Sequence, residues 1–176
     1  MGQAGEFQPE KLVMAVLTAR PAKTGEVMAA LQRRWGPADL SSELIPFTYT
    51  DYYEAEMGPG LSRFFVSFAT LVDPSGIAGI KKETNAIEEQ FREEGGRRVN
   101  LDPGLLCLSR FTLVTTKESA HRIPLTDGIY AEVTLLYHKG SFQPLEWTYP
   151  DYRTPRYLSI LNSIRSLYKA QVHPKG

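Results

Sequence analysis

Lys11 to Ala19 reads KLVMAVLTA, an apolar run of strand length with almost no polar interruption. Such a run predicts a strand buried on both faces. In RPAKTGEVMAALQRRWG, Val27, Leu31 and Trp35 recur every four residues, and Gly36-Pro37 follows. That spacing predicts a helix with one apolar face, ended by the Gly-Pro pair. LIPFTYTDYY and LSRFFVSFATLV are aromatic and β-branched runs separated by Gly58-Pro59-Gly60. They predict strand, turn and strand. A second helix is expected in DPSGIAGIKKETNAIEEQFREEGG, with Asp73 as cap and Pro74 at its first position. Ile80, Ile87 and Phe91 form its stripe, and Gly95-Gly96 is the expected stop. LLCLSRFTLVTT and GIYAEVTLLYH predict two more strands. A last helix is expected behind Thr154 and Pro155, burying Tyr157, Ile160, Leu161, Ile164 and Tyr168.

The order β-α-β-β-α-β, then a further strand and a helix, predicts an α+β protein. Its expected core is a ferredoxin-like antiparallel sheet, with an extra strand and a C-terminal helix added. Two helices should cover one face. The other face is either covered by the C-terminal addition or left open for binding. No repeat, low-complexity tract or linker interrupts residues 1–176, so a single domain is expected.

Composition narrows the function classes. Hydrophobic residues make up 42% and charged residues 23% of the 176, ordinary for a soluble globular chain. Lys plus Arg and Asp plus Glu are 20 each, a net charge of zero that argues against bulk nucleic-acid binding. Cys107 is the sole cysteine, which excludes an intrachain disulfide and any zinc site needing two thiolates. Its apolar setting, LLCLSRF, predicts a small core residue. No apolar run is long enough to span a bilayer. The start, MGQAGEFQPEKL, has no signal-peptide core and no myristoylation pattern, so a cytoplasmic location is expected.

Candidate chemistry falls in five strings. In FTYTDYYEAEMG, extension would put Phe47, Tyr49, Asp51 and Tyr53 on one side and Tyr52 and Glu54 on the other. A turn beyond Tyr53 could let Asp51, Glu54 and Glu56 converge on a hard cation such as Mg²⁺; the alternative is a solvated acidic loop. In RRVNLDPGLL, Asp102-Pro103-Gly104 is a turn signal, and Asn100 and Asp102 share a side if the chain is extended. Asp102 could then bind a metal or a ribose hydroxyl, or close an Asx-turn on its own backbone. TTKESAHRIPLTDGIYAEVTL gathers Thr115, Thr116, Lys117, Ser119, His121 and Arg122. Lys117 and Arg122 offer donors for phosphate or carboxylate, and His121 is the best proton-transfer candidate, ahead of His138 and His173. No phosphate-loop string is present.

Glu132 sits mid-strand in GIYAEVTLLY, where Ile129, Ala131, Val133 and Leu135 are the expected core-facing set. Tyr130, Glu132 and Thr134 would take the opposite face. If that face is covered, Glu132 needs a partner among His121, Arg122 and Lys117; if it is open, water serves. Finally, EWTYPDYRTPRY interleaves Trp147, Tyr149 and Tyr152 with Arg153 and Arg156. Such a segment can stack a base or pack a cation, or simply lid the sheet edge.

The strings TDYYEAEMG, NLDPG, TTKESAHRI, DGIYAEVTLLY and WTYPDYRTP, in this order over nearly the whole chain, resemble domain-of-unknown-function family 4416. Members are small bacterial and archaeal proteins, sometimes labelled GTP-binding; this chain has neither the phosphate loop nor the base-reading motifs of GTPases. It carries Leu105 and Pro124 where the family pattern has aromatics. The resemblance implies a cytoplasmic prokaryotic protein and no particular reaction.

These readings converge on one expectation, an enzyme acting on a phosphorylated or nucleotide-like ligand. His121 and Glu132 would be catalytic. Asn100, Lys117, Arg122, Trp147, Tyr149 and Arg153 would hold the ligand, and Asp51, Glu54, Glu56 and Asp102 a divalent cation. The alternatives are a non-catalytic anion- or nucleotide-binding or regulatory module, and a homo-oligomer pairing through Trp147 to Tyr157. The first two require the carboxylates and the His121 segment to meet in the fold.

Overall fold

The computed structural model describes residues 2–93 and 96–174. In chain order the elements are β1 (Glu10–Thr18), α1 (Thr24–Trp35), β2 (Ala38–Ser41), β3 (Ile45–Pro46), α2 (Glu54–Met57) and β4 (Ser62–Val72). There follow α3 (Ile77–Gln90), β5 (Arg92–Glu93), β6 (Gly96–Arg97), β7 (Val99–Leu106) and β8 (Arg110–Thr115). The chain closes with β9 (Ile123–Pro124), β10 (Tyr130–His138), β11 (Ser141–Pro144) and α4 (Pro155–Val172).

Among the described residues nine strands form one antiparallel sheet, ordered β11-β10-β8-β7-β1-β4-β2, with β3 on β4 and β9 on β10. This is larger than a simple ferredoxin-like sheet with one added strand, because the C-terminal half contributes most of a sheet edge. Side chains alternate sides along β1. Leu12, Met14 and Val16 pack beneath α1 and α3 with Val27, Leu31, Trp35 and Ile87. Val13 and Ala15 pack beneath α4 with Tyr157, Leu161, Ile164 and Tyr168. Both faces are therefore covered, which explains why all nine β1 residues are buried. The open-face alternative is set aside by α4. Among the described residues no helix is long and apolar enough to cross a membrane.

Local signals behave as their chemistry requires at most helix ends. Gly36, at φ +87°, ends α1. Asp73 caps the turn before α3 by accepting from the Ser75 N–H, and the Thr154 side chain accepts from the Tyr157 N–H at the start of α4. The expected stop of α3 differs. The helix ends at Gln90 with Phe91 as its cap, Gly96 lies in β6, and Gly95 lies outside the described residues.

Four expectations change in the strands. Only Ile45–Pro46 of LIPFTYTDYY pairs with β4, and the edge neighbour is the polar β2. Beyond it, Phe47 and Met57 bury with Leu17, Ala19 and Leu61, with Tyr53 packed against them. That irregular spacing overrides strand parity and folds the segment into α2. LLCLSRFTLVTT is a β7–β8 hairpin, with the half-buried Cys107 at its turn and its N–H donating to the Arg110 carbonyl. In β10 a register shift between Val133 and Leu135 turns the strand over. Ile129 and Ala131 accordingly pack beneath α1 and α3, whereas Leu135 packs beneath α4.

The fourth change is the one that makes a site. Asp102-Pro103-Gly104 is not a turn but the interior of β7, paired to β1 along Val99–Leu106. The β7–β8 ladder covers only Gly104 to Leu106 against Leu113 to Phe111. Pro103 has no N–H to extend it. Beyond that point β7 stays on β1, β8 stays on β10, and the sheet splits. The Leu101 backbone, left without a strand on that side, is served by α3: Lys81 Nζ donates to its carbonyl at 2.8 Å and its N–H donates to Glu88 Oε1 at 2.7 Å.

Gly104 holds the closed end of the split. A Cβ there would lie 2.7 Å from the Phe111 ring and 2.8 Å from the Thr112 carbonyl oxygen. Gly104→Ala is expected to lower unfolding free energy by about 1–3 kcal/mol, read from urea melts. Wild-type stability in that variant would contradict the close packing of the hairpin.

Candidate ligand cleft

The split between β7 and β8 opens into a cleft of about 750 Å³, within the range of about 300–1,000 Å³ usual for small-molecule sites. Asn100 and Asp102 of β7 face Leu113, Val114 and Thr115 of β8 across it, and Lys81, Asn85 and Glu88 of α3 line one end. Tyr49, Tyr52, Tyr53, Tyr149 and Tyr152 supply an aromatic wall.

Arg63 of β4 is buried in this wall. Its guanidinium lies 3.3 Å from Asp151 and 3.6 Å from Asp102, donates to the Tyr152 hydroxyl at 3.4 Å, and sits 4.9 Å from the centre of the Phe47 ring. Burial opposes its charge, but Tyr152, Asp102 and Asp151 outweigh burial and raise its pKa. The same burial raises the pKa of Asp151, with Arg63 pulling against it. Arg63 was not among the residues picked from the sequence. Its signal is a lone charge in the otherwise uncharged, largely apolar strand LSRFFVSFATLV, as with Glu132 in GIYAEVTLLY.

A second ion-pair layer closes the α3 end. Arg97 makes paired bonds to Glu56 at 2.8 and 2.9 Å, and also donates to Glu88 at 2.7 Å and to Asn100 Oδ1 at 3.2 Å. Asn100 Nδ2 in turn donates to Asp102 at 3.0 Å. Arg97 holds the Glu56 pKa below its usual value. Glu56 and Asp102 are thus occupied by Arg97, Asn100 and Arg63, while Asp51 and Glu54 stay exposed outside the cleft lining. Among the described residues no group of three or more His, Cys, Asp or Glu is placed to hold a metal ion. The expected cation set Asp51, Glu54, Glu56 and Asp102 is therefore not assembled: ion pairing with arginines and the short α2 helix separate its members.

Glu132 lines the opposite wall at 2% exposure. Its Oε2 accepts from Arg122 Nε and lies against His121 Nε2, each at 2.9 Å. A carboxylate only accepts, so Nε2 carries a proton; His121 Nδ1 lies 3.1 Å from the Ser119 hydroxyl. Arg122 also donates to the Lys117 carbonyl at 2.8 Å and to the Tyr149 hydroxyl at 2.6 Å. The imidazole stacks on Trp147, with ring centres 5.2 Å apart. His121 and Arg122 stand behind Glu132 and do not line the cleft. Of the expected catalytic pair, Glu132 thus lines the cleft, while His121 contacts its Oε2 together with Arg122 from outside the lining.

The remaining candidates divide. Lys117 stands at the rim, its Nζ 4.0 Å from the Tyr52 ring centre, and lowers the Tyr52 pKa. Tyr149 lines the cleft. Trp147 is tied to the Val133 carbonyl at 2.8 Å outside it. Arg153 spends its donors on the Thr148, Leu145 and Glu146 carbonyls and so braces a loop.

The fold and site define a mixed α/β protein whose sheet splits around a polar and aromatic cleft. The chain belongs to the domain-of-unknown-function family DUF4416, whose model matches residues 8–168. No curated protein and no solved structure matches the chain.

Arg63→Met would leave Asp151 buried without its cation. It is expected to lose about 3–5 kcal/mol of stability, and the double variant Arg63→Met, Asp151→Leu to recover much of that. Denaturant melts measure both. An unaffected single variant would show that the buried pair holds nothing together.

Proposed function

We propose that the chain is a small-molecule binding protein whose cleft at the β7–β8 split takes a nucleotide-like ligand. The heterocycle lies along the tyrosine wall, and an anionic group sits at Lys117. The supporting observation is the rim itself: Lys117 lies over Tyr52 and has no carboxylate partner among the described residues, at the mouth of an aromatic-walled cavity. Tyrosines present flat faces for a ring, and a lysine offers a compact charge for phosphate or carboxylate.

Charge favours a ligand with one anionic group over a polyphosphate. Among the described residues, five Lys or Arg and six Asp or Glu side chains line the cleft, so the described walls carry no basic excess. The binding reading is preferred to metal-dependent phosphoryl transfer because, of the four carboxylates expected to hold a cation, Glu56 and Asp102 are paired with arginines and Asp51 and Glu54 lie outside the cleft lining. We also infer a ferredoxin-like core. The order β7-β1-β4-β2, with α1 and α3 on one face, is the arrangement a β-α-β-β-α-β chain makes when its second strand lies at the edge; β8, β10 and β11 extend it.

A thermal-shift panel of nucleosides, nucleoside monophosphates and triphosphates, with and without Mg²⁺, tests this. At a hundredfold excess over Kd a monophosphate contributes about 2.7 kcal/mol, a rise of roughly 5 °C or more for a chain of this size. Lys117→Ala should remove most of the rise for monophosphates and leave the unliganded melting point unchanged. A flat panel would overturn the proposal.

A further inference from the structure

We propose that Glu132 makes the cleft selective for a neutral heterocycle that presents a ring N–H, as a lactam does, rather than for a cation or a ring-nitrogen acceptor. This deepens, and rests on, the nucleotide-like reading of the same cleft.

The argument is one of unspent valence and charge. Glu132 lines the cleft at 2% exposure. Its Oε1 is buried and has no hydrogen-bond partner among the described residues. Its Oε2 is held by Arg122 and His121, at 2.9 Å each, and neither of those residues lines the cleft. With Oε2 spent, Oε1 is the oxygen left for a donor that reaches in from the cleft Glu132 lines. A buried carboxylate oxygen without a donor is unfavourable, and a ligand donor that reaches it removes that cost. Arg122 already supplies the neutralising cation, so the missing partner is a donor without a charge of its own. Tyr149, whose hydroxyl accepts from Arg122, sets an aromatic face beside this acceptor and favours a planar group over an aliphatic amide.

Substitution of Glu132 by Gln gives a sharp test, because the surroundings dictate how the amide sits. Arg122 Nε and His121 Nε2–H are donors, so the amide oxygen must take the Oε2 position. The NH₂ then takes the Oε1 position, and the cleft exchanges an acceptor for a donor at constant shape.

Affinity is measured by titration calorimetry for two ligand pairs: inosine monophosphate against purine riboside monophosphate, and uridine monophosphate against its N-methylated form. Within each pair the ring N–H is present in the first and lost in the second. The wild type is expected to prefer an N–H ligand by about tenfold or more. Glu132→Gln should erase or invert that preference for inosine against purine riboside, with a retained fold confirmed by its thermal melt. Equal affinities within both pairs for the wild type, a preference untouched by Glu132→Gln, or tighter binding of benzamidine than of any of these ligands would each overturn the inference. In those cases, binding that still falls in Lys117→Ala leaves the cleft reading standing. If none of the four ligands binds the wild type, both proposals fall.

Discussion

The fold turns on a hydrogen bond that β7 cannot make. Pro103 interrupts the β7–β8 ladder inside an antiparallel sheet, where a continuous neighbour would otherwise fill the space. Both strands keep their outer partners, so the sheet does not fray; it parts. The backbone of Leu101, buried and without a strand partner on that side, is then satisfied by Lys81 and Glu88 reaching across from α3. A buried Lys and Glu are costly unless both are spent on such bonds, and here they are. The cleft is thus a built gap, sealed at one end by Gly104 against Phe111.

Around that gap, charge is arranged in closed units. Arg63 with Asp102 and Asp151 ties β4 and β7 to the turn ahead of α4. Arg97 with Glu56 and Glu88 ties the short helix α2 to α3. Glu132 with His121 and Arg122 ties β10 to the loop after β8. Each unit satisfies most of its own hydrogen-bonding capacity. What they leave over, Glu132 Oε1 and Arg63 Nε, is open to a ligand together with the rim ammonium of Lys117, which stands outside these units.

Much of this was legible in the residues. The uninterrupted run KLVMAVLTA announced a strand covered on both sides, and Thr154 and Asp73 marked helix starts through their own cap chemistry. The demand that a mid-strand Glu132 find His121 or Arg122 was sound, because a buried carboxylate has few acceptable partners. What was not legible depends on contacts distant in sequence. Asp-Pro-Gly is a turn string locally; only a neighbouring β1 that pairs with all of it, and a β8 that leaves, convert it into strand and cleft. Periodicity also missed α2, whose burial of Phe47 and Met57 follows a satellite core rather than a face. The acidic cluster around Asp51 looked like a cation site because Arg97, far along the chain, could not be seen to claim Glu56.

Whether the split sheet holds the ligand is tested most directly by backbone-amide NMR during titration with a nucleoside monophosphate. Shift changes are expected to concentrate at Thr115–Lys117, at Tyr52 and Tyr53, and at Asp102, the two lips and floor of the gap. Changes centred instead on the groove between α1 and α3, around Arg33 and Glu83, would contradict the assignment.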